Sequence, residues 1–426
     1  MENQTNVVHC ENALSETQIN FVATFSWWLE TFGYLLVGLL GLLLNIIAML
    51  VLLTPTMWNN FFNRLIMCLA GYDSAFILCG ILEIFRRLQL TFLQQYLFVK
   101  VLYPFRSMVM CCSIYTTLVL TLERHQAITS PIQYRSRGSQ RKLGRRLFIY
   151  IVPVMLFSFA YYFPKYFDLD VLEVTNCPII NSIPSNTTVL LNLNAPNCTT
   201  KYRITPTPLR TNHQYIFWYI NVSNLVVTCV LPISLLIFMN CRIVSSLNKF
   251  RRRRPSMMMN TPNLTTPNTT TTTTTTQHPK NTSDVKKTFM LFSIVMLFIL
   301  CHALRIMMNI TEFLNLETLA LEREKGCDGI KFWQHVSRPL SEFLLLFNSS
   351  ANFFVYMFFD KAFQQILRKR FYVIKTYFQR TNRRLETDTT PIQGPREIVP
   401  VPRENATRTN EIELVKMECT SRNNSV

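Results

Sequence analysis

The sequence predicts an all-α membrane protein, in which a bundle of seven transmembrane helices is followed by a short amphipathic helix on the membrane surface. Three observations lead to this prediction. Of the 426 residues, 49% are hydrophobic and 16% are charged, whereas soluble domains usually carry about 25% charged residues. The hydrophobic residues form long uncharged runs, and the lysines and arginines are concentrated in a few segments between those runs.

Seven apolar runs are long enough to be membrane spans. A helix needs about 20 largely uncharged residues to cross the ~30 Å hydrocarbon layer. The first run, 32–53, contains no charged residue. The other predicted spans are 65–82, 107–122, 147–163, 215–240, 288–304 and 343–359. The fourth is the weakest of these, because it is short and contains Pro153.

The distribution of basic residues predicts the orientation of the bundle. Residues 1–31 contain no lysine or arginine, whereas 135–146, 249–254 and 368–384 are rich in both. With seven spans, these basic segments fall on the side opposite the N-terminus, and cytoplasmic segments are the ones enriched in lysine and arginine. We therefore expect a multi-pass protein of the plasma membrane with an extracellular N-terminus. Contact with anionic membrane lipid, and not with nucleic acid, explains the net charge of +18.

The predicted extracellular segments carry sequons and cysteines. Residues 1–31 are predicted to be a glycosylated tail, and the predicted exterior sequons are Asn3, Asn186 and Asn197. The predicted exterior cysteines are Cys10, Cys177, Cys198 and Cys327. Four cysteines allow three disulfide pairings. Of these we favour Cys177 with Cys198 and Cys10 with Cys327.

The predicted cytoplasmic segments differ in character. The third cytoplasmic loop, 247–285, contains an unbroken threonine tract and is expected to be disordered. Residues 360–377 alternate apolar and basic positions at helical spacing, which predicts an amphipathic helix on the inner leaflet. The remaining residues, 378–426, are polar and are expected to be a disordered cytoplasmic tail.

Several polar side chains fall inside the predicted spans, where they are costly and therefore candidates for function. They are Asn45, Asp73, Glu123, Arg124, Asn348, Ser349 and Asn352. The alternative for each residue alone is a hydrogen bond to a neighbouring helix that serves only packing.

In this order on these spans, the polar residues resemble those of rhodopsin-like G-protein-coupled receptors, over roughly residues 32–372. Glu123-Arg124-His125 is similar to the Asp/Glu-Arg-Tyr triplet of that family. Asn352-Phe353-Phe354-Val355-Tyr356 is similar to Asn-Pro-x-x-Tyr, with Phe353 in place of the proline. Pro232 falls where the fifth helix of the family carries its proline.

Within that class, the sequence resembles invertebrate FMRFamide-type neuropeptide receptors most. The resemblance depends on three segments, 162–167, 301–305 and 348–353. The chain departs from the class at the start of the third helix, where Val99 stands in place of a cysteine, and in the fourth helix, which lacks a tryptophan. In the sixth helix, His302 and Leu304 replace the usual tryptophan and proline.

The resemblance implies roles for the polar residues. A hydrated cavity that holds a sodium ion in related receptors would be lined by Asp73, Ser113, Asn348, Ser349 and Asn352, and the alternative is a water-filled network of the same residues. Arg124 would pair with Glu123 in the inactive state, with Asp284 as a second partner, and would turn toward a heterotrimeric G protein on activation. Asn352 and Tyr356 would belong to the same switch. Arrestin and kinases would be further partners.

The outer halves of the spans carry both signs of charge, which fits a pocket for a charged peptide. The candidate ligand contacts are Glu83, Tyr103, Arg106, Tyr215, Trp218, His302, Arg305, Asn309 and Glu342. A peptide that ends in Arg-Phe-amide would need a carboxylate for its arginine, and Glu342 or Glu83 could supply it. Tyr103, Tyr215 and Trp218 could form an aromatic wall. The alternative is that Arg106 and Arg305 only pair with Glu83 and Glu342 inside the bundle.

Other functions fit the sequence less well. A receptor for another small peptide, similar to a chemokine receptor, is the second choice. A seven-span ligand-gated channel would require the opposite orientation. The sequence has no metal-ligand cluster, nucleophile elbow or phosphate-binding loop, so we expect neither an enzyme nor a cofactor other than the sodium ion.

Overall fold

A computed structural model of the chain describes residues 13–88, 91–130, 134, 143–176, 199–258, 278–325, 327 and 329–388. Within these residues, seven helices are long and apolar enough to cross a membrane, which confirms the predicted number. We call them spans 1 to 7, and in chain order they are Glu16–Leu52, Phe61–Phe85, Phe92–Thr129, Leu143–Phe167, His213–Ser246, Thr288–Leu314 and Phe332–Phe359.

The spans are mostly α-helical, with short stretches of wider or tighter helix. The α-helical segments are Glu16–Trp27, Tyr34–Leu52, Phe61–Leu88, Phe92–Leu97, Tyr103–Thr129, Leu143–Tyr162, His213–Tyr215, Leu231–Met258, His278–Leu314 and Phe332–Phe359. The π-helical stretches are Trp28–Gly33, Phe98–Leu102, Ile216–Ser223 and Val226–Val230, and Phe163–Phe167 is a 3₁₀ helix. In the described part of the chain, short α-helices also lie outside the spans, at Pro55–Trp58, Pro208–Thr211 and Leu316–Glu324.

Span 1 begins earlier than predicted. Ser15 caps it in a capping box, because its Oγ accepts from the backbone N–H of Gln18 at 3.3 Å while its own N–H donates to Gln18 Oε1 at 3.0 Å. Residues 16–31, predicted to belong to the extracellular tail, are therefore helical. This part of the helix was not predicted, because the segment is polar and its start is marked by a capping box and not by an apolar stripe.

The helices on either side of the predicted disordered loop are longer than expected. Leu231–Met258 and His278–Leu314 both extend into 247–285, and residues 259–277 lie outside the described part of the chain. The predicted amphipathic helix at 360–377 is part of a longer helix, Lys361–Asp388. Asp360 caps it by accepting from the N–H groups of Ala362 and Phe363 at 2.9 and 3.2 Å. Its position on the membrane surface remains a prediction.

The chain forms two compact units, Met1–Lys369 and Arg370–Val426. In the described part of the second unit, large apolar side chains such as Phe371, Tyr372 and Tyr377 are exposed. The first unit contains the seven spans.

A β-hairpin between spans 4 and 5 was not predicted. Strands β1 (Leu169–Asn176) and β2 (Thr199–Pro206) pair antiparallel, with Leu169 opposite Pro206 and Asn176 opposite Thr199. The hairpin contacts the beginning of span 3, where Phe92 packs edge-on against Tyr202 at 5.3 Å and Lys100 Nζ donates to the carbonyl oxygen of Leu169 at 3.1 Å.

The two faces of span 1 show how the bundle separates lipid from core. Its leucines on one side are more than half exposed, at positions 36, 39, 40, 43 and 50. On the other side Asn45 and Ala48 are buried, as are Gly38 and Gly41. An apolar stripe of this extent is unusual on a soluble monomer and suits contact with acyl chains.

The bundle has two ends, which we name by one residue each. At the Arg124 end, spans 2, 3, 6 and 7 share a hydrophobic cluster whose buried members include Phe62, Leu120, Leu291 and Tyr356. At the Glu342 end, spans 1, 2 and 7 pack through a cluster that includes Tyr34, Ile81 and Leu346.

Spans 1 and 7 approach closely at Gly41. A Cβ atom at this position would overlap Ser350 Oγ and would lie 3.1 Å from Ser350 Cα. Gly71, in span 2, has open space around the same position. Small residues allow such close helix contacts in membranes.

We predict that Gly41→Ala destabilises the bundle by about 1–3 kcal/mol, because the added methyl group overpacks the contact with Ser350. Thermal unfolding of the purified protein in nanodiscs measures the loss. Gly71→Ala is the matched control and should leave the midpoint unchanged. Equal midpoints for the two variants would show that the close approach at Gly41 is not present.

Candidate functional site

A buried carboxylate joins three spans at the middle of the bundle. Asp73, in span 2, is fully buried. Ser113 Oγ donates to Asp73 Oδ1 at 2.8 Å from span 3, and Asn352 Nδ2 donates to Asp73 Oδ2 at 2.8 Å from span 7. Asn45 Nδ2 adds span 1 by donating to the carbonyl oxygen of Ser349 at 3.0 Å. The structure thus brings together residues that the sequence analysis grouped in one cavity.

A cavity of about 10 Å³, room for about one water molecule, lies beside this cluster. Its polar lining consists of Ser113, His302, Asn348 and Ser349. Its apolar lining consists of Phe76, Met110, Ile114, Phe298 and Leu345.

The donor set fits a hard monovalent cation. Apart from His302, the polar groups of the cluster offer oxygen ligands, which hard cations prefer. The side-chain Oδ1 atoms of Asn45 and Asn352 are buried and have no hydrogen-bond partner among the described protein atoms. These oxygens are suited to an electropositive occupant.

A chain of four charged residues crosses the Glu342 end of the bundle. Arg106, in span 3, donates from Nη1 to Glu83 Oε2 and from Nη2 to Glu342 Oε2, both at 2.9 Å. Arg305, in span 6, donates from Nη1 to Glu342 Oε1 at 3.2 Å. Spans 2, 3, 6 and 7 are therefore connected through charge pairs.

Both oxygens of Glu342 are occupied by arginines of the protein itself. This is the arrangement that the packing interpretation of Arg106 and Arg305 predicted. A ligand arginine could therefore reach Glu342 only by displacing one of them. The Glu342 side chain is 35% exposed, more than those of Glu83, Arg106 and Arg305.

A second group at this end is centred on Lys165, which the sequence analysis did not single out as a contact. Its ammonium donates to Ser107 Oγ at 2.9 Å and lies over the rings of Tyr103 and Tyr162 at 4.9 and 5.0 Å. The rings of Tyr103, a predicted ligand contact, and Tyr162 thus form a cation–π cage around the Lys165 ammonium group. The motif that carries Lys165, 162–167, was the only sequence signal for it.

Tyr215, predicted as part of an aromatic wall for the ligand, binds a carboxylate at the base of the hairpin. Its hydroxyl donates to Asp168 Oδ1 at 2.6 Å, and Arg210 donates to Asp168 Oδ2 at 3.5 Å. Asp168 is fully buried. It immediately precedes β1, so these bonds fix the base of the hairpin.

Three further predicted ligand contacts have different surroundings. Trp218 is 61% exposed and packs edge-on against Phe217. His302 lines the small central cavity, one turn below Arg305. The Nδ2 atom of Asn309 is buried and has no partner among the described residues.

At the Arg124 end, the predicted pair between Glu123 and Arg124 is wrong. Glu123 Oε2 accepts from Arg146 Nη2 of span 4, and Glu123 Oε1 accepts from the Tyr134 hydroxyl, both at 2.7 Å. Adjacent residues of a helix do not face each other, so the Arg124 guanidinium points elsewhere. It stacks on the ring of Phe62 at 3.6 Å.

The Tyr134 hydroxyl is a stable donor to Glu123. Burial, together with the negative charge of Glu123, raises the pKa of Tyr134 and keeps the phenol protonated at physiological pH. Arg146 also stacks on the ring of Phe61 at 4.4 Å. The buried Glu123 carboxylate therefore has two strong partners, Tyr134 and Arg146, and both lie outside the Glu123-Arg124-His125 triplet.

Tyr356, a predicted switch residue, is buried in the hydrophobic cluster at the Arg124 end. Other predicted residues cannot be compared with the structure. The side chain of Asp284 lies outside the described part of the chain, as do Asn3, Cys10, Cys177, Asn186, Asn197 and Cys198. Cys327 is disulfide-bonded, and the pairing scheme stays a prediction. Within the described residues, no group of three histidine, cysteine or acidic side chains could hold a metal ion.

This fold and these polar clusters define a seven-transmembrane receptor. The sequence model of the family described as "7 transmembrane receptor (rhodopsin family)" matches residues 44–356. The chain belongs to this family. It is therefore a multi-pass membrane protein and, as expected, a receptor and not an enzyme.

Two relatives agree with the narrower resemblance. The FMRFamide receptor of Drosophila melanogaster is 26% identical over 340 residues, which cover 78% of this chain and 51% of that receptor. An FMRFamide peptide receptor of Caenorhabditis elegans is 22% identical over 341 residues, 78% of this chain and 67% of the relative. The chain thus spans about half the length of the fly receptor. The resemblance to FMRFamide-type receptors is confirmed.

We predict that Arg146→Met destabilises the bundle by about 3–5 kcal/mol, because it leaves the Glu123 carboxylate buried without its charged partner. Thermal unfolding in nanodiscs measures the change. Arg145→Met, at an exposed position of the same helix, is the control. Adding Glu123→Gln to Arg146→Met should restore most of the loss. If Arg146→Met unfolds at the same temperature as the Arg145 variant, the ion pair does not exist.

Proposed function

We propose that the chain is a plasma-membrane receptor for a neuropeptide of the FMRFamide type and that it passes ligand binding on to a heterotrimeric G protein. Family membership and the names of both relatives support this proposal. They also favour this ligand class over the chemokine-like alternative. The observation that carries it is the position of Glu342, a partly exposed carboxylate shared by two arginines at the end of the bundle opposite Arg124.

In this proposal the Glu342 end faces the extracellular space. The support is the distribution of lysine and arginine, which places all basic clusters on the side of the Arg124 end. An epitope tag at the N-terminus should react with antibody on intact cells, and a C-terminal tag only after permeabilisation. The reverse pattern would favour the channel alternative, which requires a cytoplasmic N-terminus.

The ligand would enter by exchanging one arginine for another on Glu342. Arg305 is the partner most readily displaced, because its bond to Glu342 is the longer of the two and Arg106 is also held by Glu83. The arginine of an Arg-Phe-amide peptide would take the place of Arg305. Bidentate arginine–carboxylate pairs are strong and geometrically specific.

Exchange at Glu342 changes what holds span 6 to span 7. Arg305 belongs to span 6 and Glu342 to span 7, so displacing Arg305 removes their charge pair. A ligand that binds one arrangement of the bundle better than the other shifts the population toward it. At the Arg124 end, Arg124 would then turn toward the G protein, with Asn352, Tyr356 and Asp284 in the same switch. Arrestin and kinases would act on the activated form.

A sodium ion in the central cluster would stabilise one of these arrangements. The residues that would hold it are Asp73, Ser113, Asn348, Ser349 and Asn352, with Asn45 beside them. The ion would supply positive charge to a carboxylate that otherwise has only neutral donors.

We predict that Glu342→Gln weakens FMRFamide binding about 10- to 100-fold, as expected for the loss of a charge-assisted hydrogen bond. An analogue with citrulline in place of arginine should lose much less. Arg305→Met should have the opposite effect and tighten FMRFamide, because it leaves one oxygen of Glu342 open to the peptide. Competition binding on membranes measures all three.

Arg338→Met, at an exposed position of span 7, is the control for a change of charge at this end. If the Glu342 variant loses the same affinity for FMRFamide as for its citrulline analogue, then Glu342 does not contact the arginine of the peptide. Weaker binding in the Arg305 variant would contradict the exchange.

A further inference from the structure

Lys165 brings a positive charge to the Glu342 end, and its close contacts there are all with neutral groups. Its ammonium donates to Ser107 Oγ at 2.9 Å and lies 4.9 and 5.0 Å from the ring centroids of Tyr103 and Tyr162. An ammonium group has three N–H donors. Among the described protein atoms, Ser107 Oγ accepts from one of them. The other donors are therefore open to a further acceptor.

The carboxylates around Lys165 are paired with arginines instead. The pairs are Glu83 with Arg106, Glu342 with Arg106 and Arg305, and Asp168 with Arg210. Within the described residues, no carboxylate oxygen lies within 4 Å of Lys165 Nζ. A charge that has left bulk water is costly unless a counter-charge accompanies it. Lys165 therefore requires a negative partner that its neighbours do not supply.

Lys165 lies beside the carboxylate to which we assign the peptide arginine. Ser107, which accepts from Lys165, directly follows Arg106, whose Nη2 donates to Glu342 Oε2 at 2.9 Å. Lys165 and Glu342 are also close enough to interact electrostatically. Lys165 is partly buried and the Glu342 side chain is 35% exposed, so neither is sealed inside the bundle. A ligand that reaches Glu342 thus comes near the Lys165 ammonium.

We propose that Lys165 is a specificity-determining residue that binds a carboxylate of the peptide ligand, close to the peptide arginine on Glu342. This role rests on the proposed receptor function. Hydrogen bonds between an ammonium and a carboxylate are charge-assisted and are roughly twice as strong as those between neutral groups. The rings of Tyr103 and Tyr162 hold the ammonium in place before the ligand arrives. Less side-chain freedom is then lost on binding.

The carboxylate has two possible sources in the peptide. Lys165 and Glu342 contact consecutive residues of span 3, and one residue of extended peptide spans at most about 3.6 Å. The carboxylate therefore lies near the arginine along the peptide. An acidic side chain directly before the arginine would supply it, and so would a free C-terminus in place of the amide. The chemistry is the same, and peptides that differ in one of these groups distinguish the sources.

Competition binding on membranes compares two matched pairs of peptides. The first pair is FMRFamide and its C-terminal free acid. The second pair carries aspartate or asparagine in place of the methionine of FMRFamide. In the wild type we expect the acidic member of one pair to bind about 10-fold more tightly than its neutral partner, as a charge-assisted hydrogen bond would provide. A preference in the first pair assigns the terminal carboxylate, and a preference in the second assigns the acidic side chain.

Lys165→Met should abolish this preference, because it removes the charge and keeps a side chain of similar length. Lys165→Arg keeps the charge and should keep the preference. Lys201→Met, at an exposed position of β2, is the matched control for the loss of one positive charge and should also keep it. Equal affinities within both pairs in the wild type, or a preference that survives in Lys165→Met, would overturn the proposal.

Thermal unfolding in nanodiscs without peptide gives a second test. An apolar side chain in place of an ion that lacks a close counter-charge avoids the cost of burying that ion. Lys165→Met should therefore unfold at or above the wild-type temperature. A midpoint several degrees lower would show that the ammonium serves packing, and would overturn the proposal. If neither FMRFamide nor any analogue binds the wild type, the proposed ligand class is wrong, whereas equal binding within both pairs contradicts only the role of Lys165.

Discussion

A charged or polar side chain inside a lipid-crossing helix is costly unless a neighbouring helix supplies its partner. This constraint determines how the seven spans of this receptor are held. Asp73 joins spans 2, 3 and 7, Arg106 joins spans 2, 3 and 7 at a second level, and Glu123 joins span 3 to span 4. The surrounding apolar contacts fill space, but the polar contacts select which helix faces which.

The three levels differ in how readily they can exchange partners. Asp73 and Glu123 are almost completely buried and have both carboxylate oxygens bonded. Glu342 is partly exposed and shares its oxygens between spans 3 and 6. Removing one partner from a shared carboxylate leaves the other in place, so an incoming cation can replace an internal one while the Glu342 carboxylate stays paired throughout. For this reason we propose the Glu342 end as the place where a ligand binds, and the other two levels as the contacts that keep the bundle in one arrangement.

Local composition was sufficient to predict the number of spans, and the order of polar motifs along them was sufficient to predict the class. Some buried polar residues, such as Asn45 and Asp73, could also be predicted, because polar side chains are rare inside apolar runs. The partners of those residues were harder to predict. Glu123 and Arg124 are neighbours in sequence but point to different sides of span 3, and the partner of Glu123 comes from Arg146, whose approach depends on how span 4 packs. The hairpin and the Lys165 cage were missed for the same reason, since both depend on contacts between distant segments.

We propose that a change at the Glu342 end alters the packing of spans 3 and 6 at the Arg124 end. Spin labels on Thr129→Cys and Phe289→Cys, two exposed positions at that end, measure the distance between these spans by pulsed electron resonance. The exposed Cys241 is replaced by serine in this background. We expect saturating FMRFamide to shift the distance distribution, and we expect no shift with Glu342→Gln. An unchanged distribution in the presence of demonstrably bound peptide would contradict this coupling between the two ends.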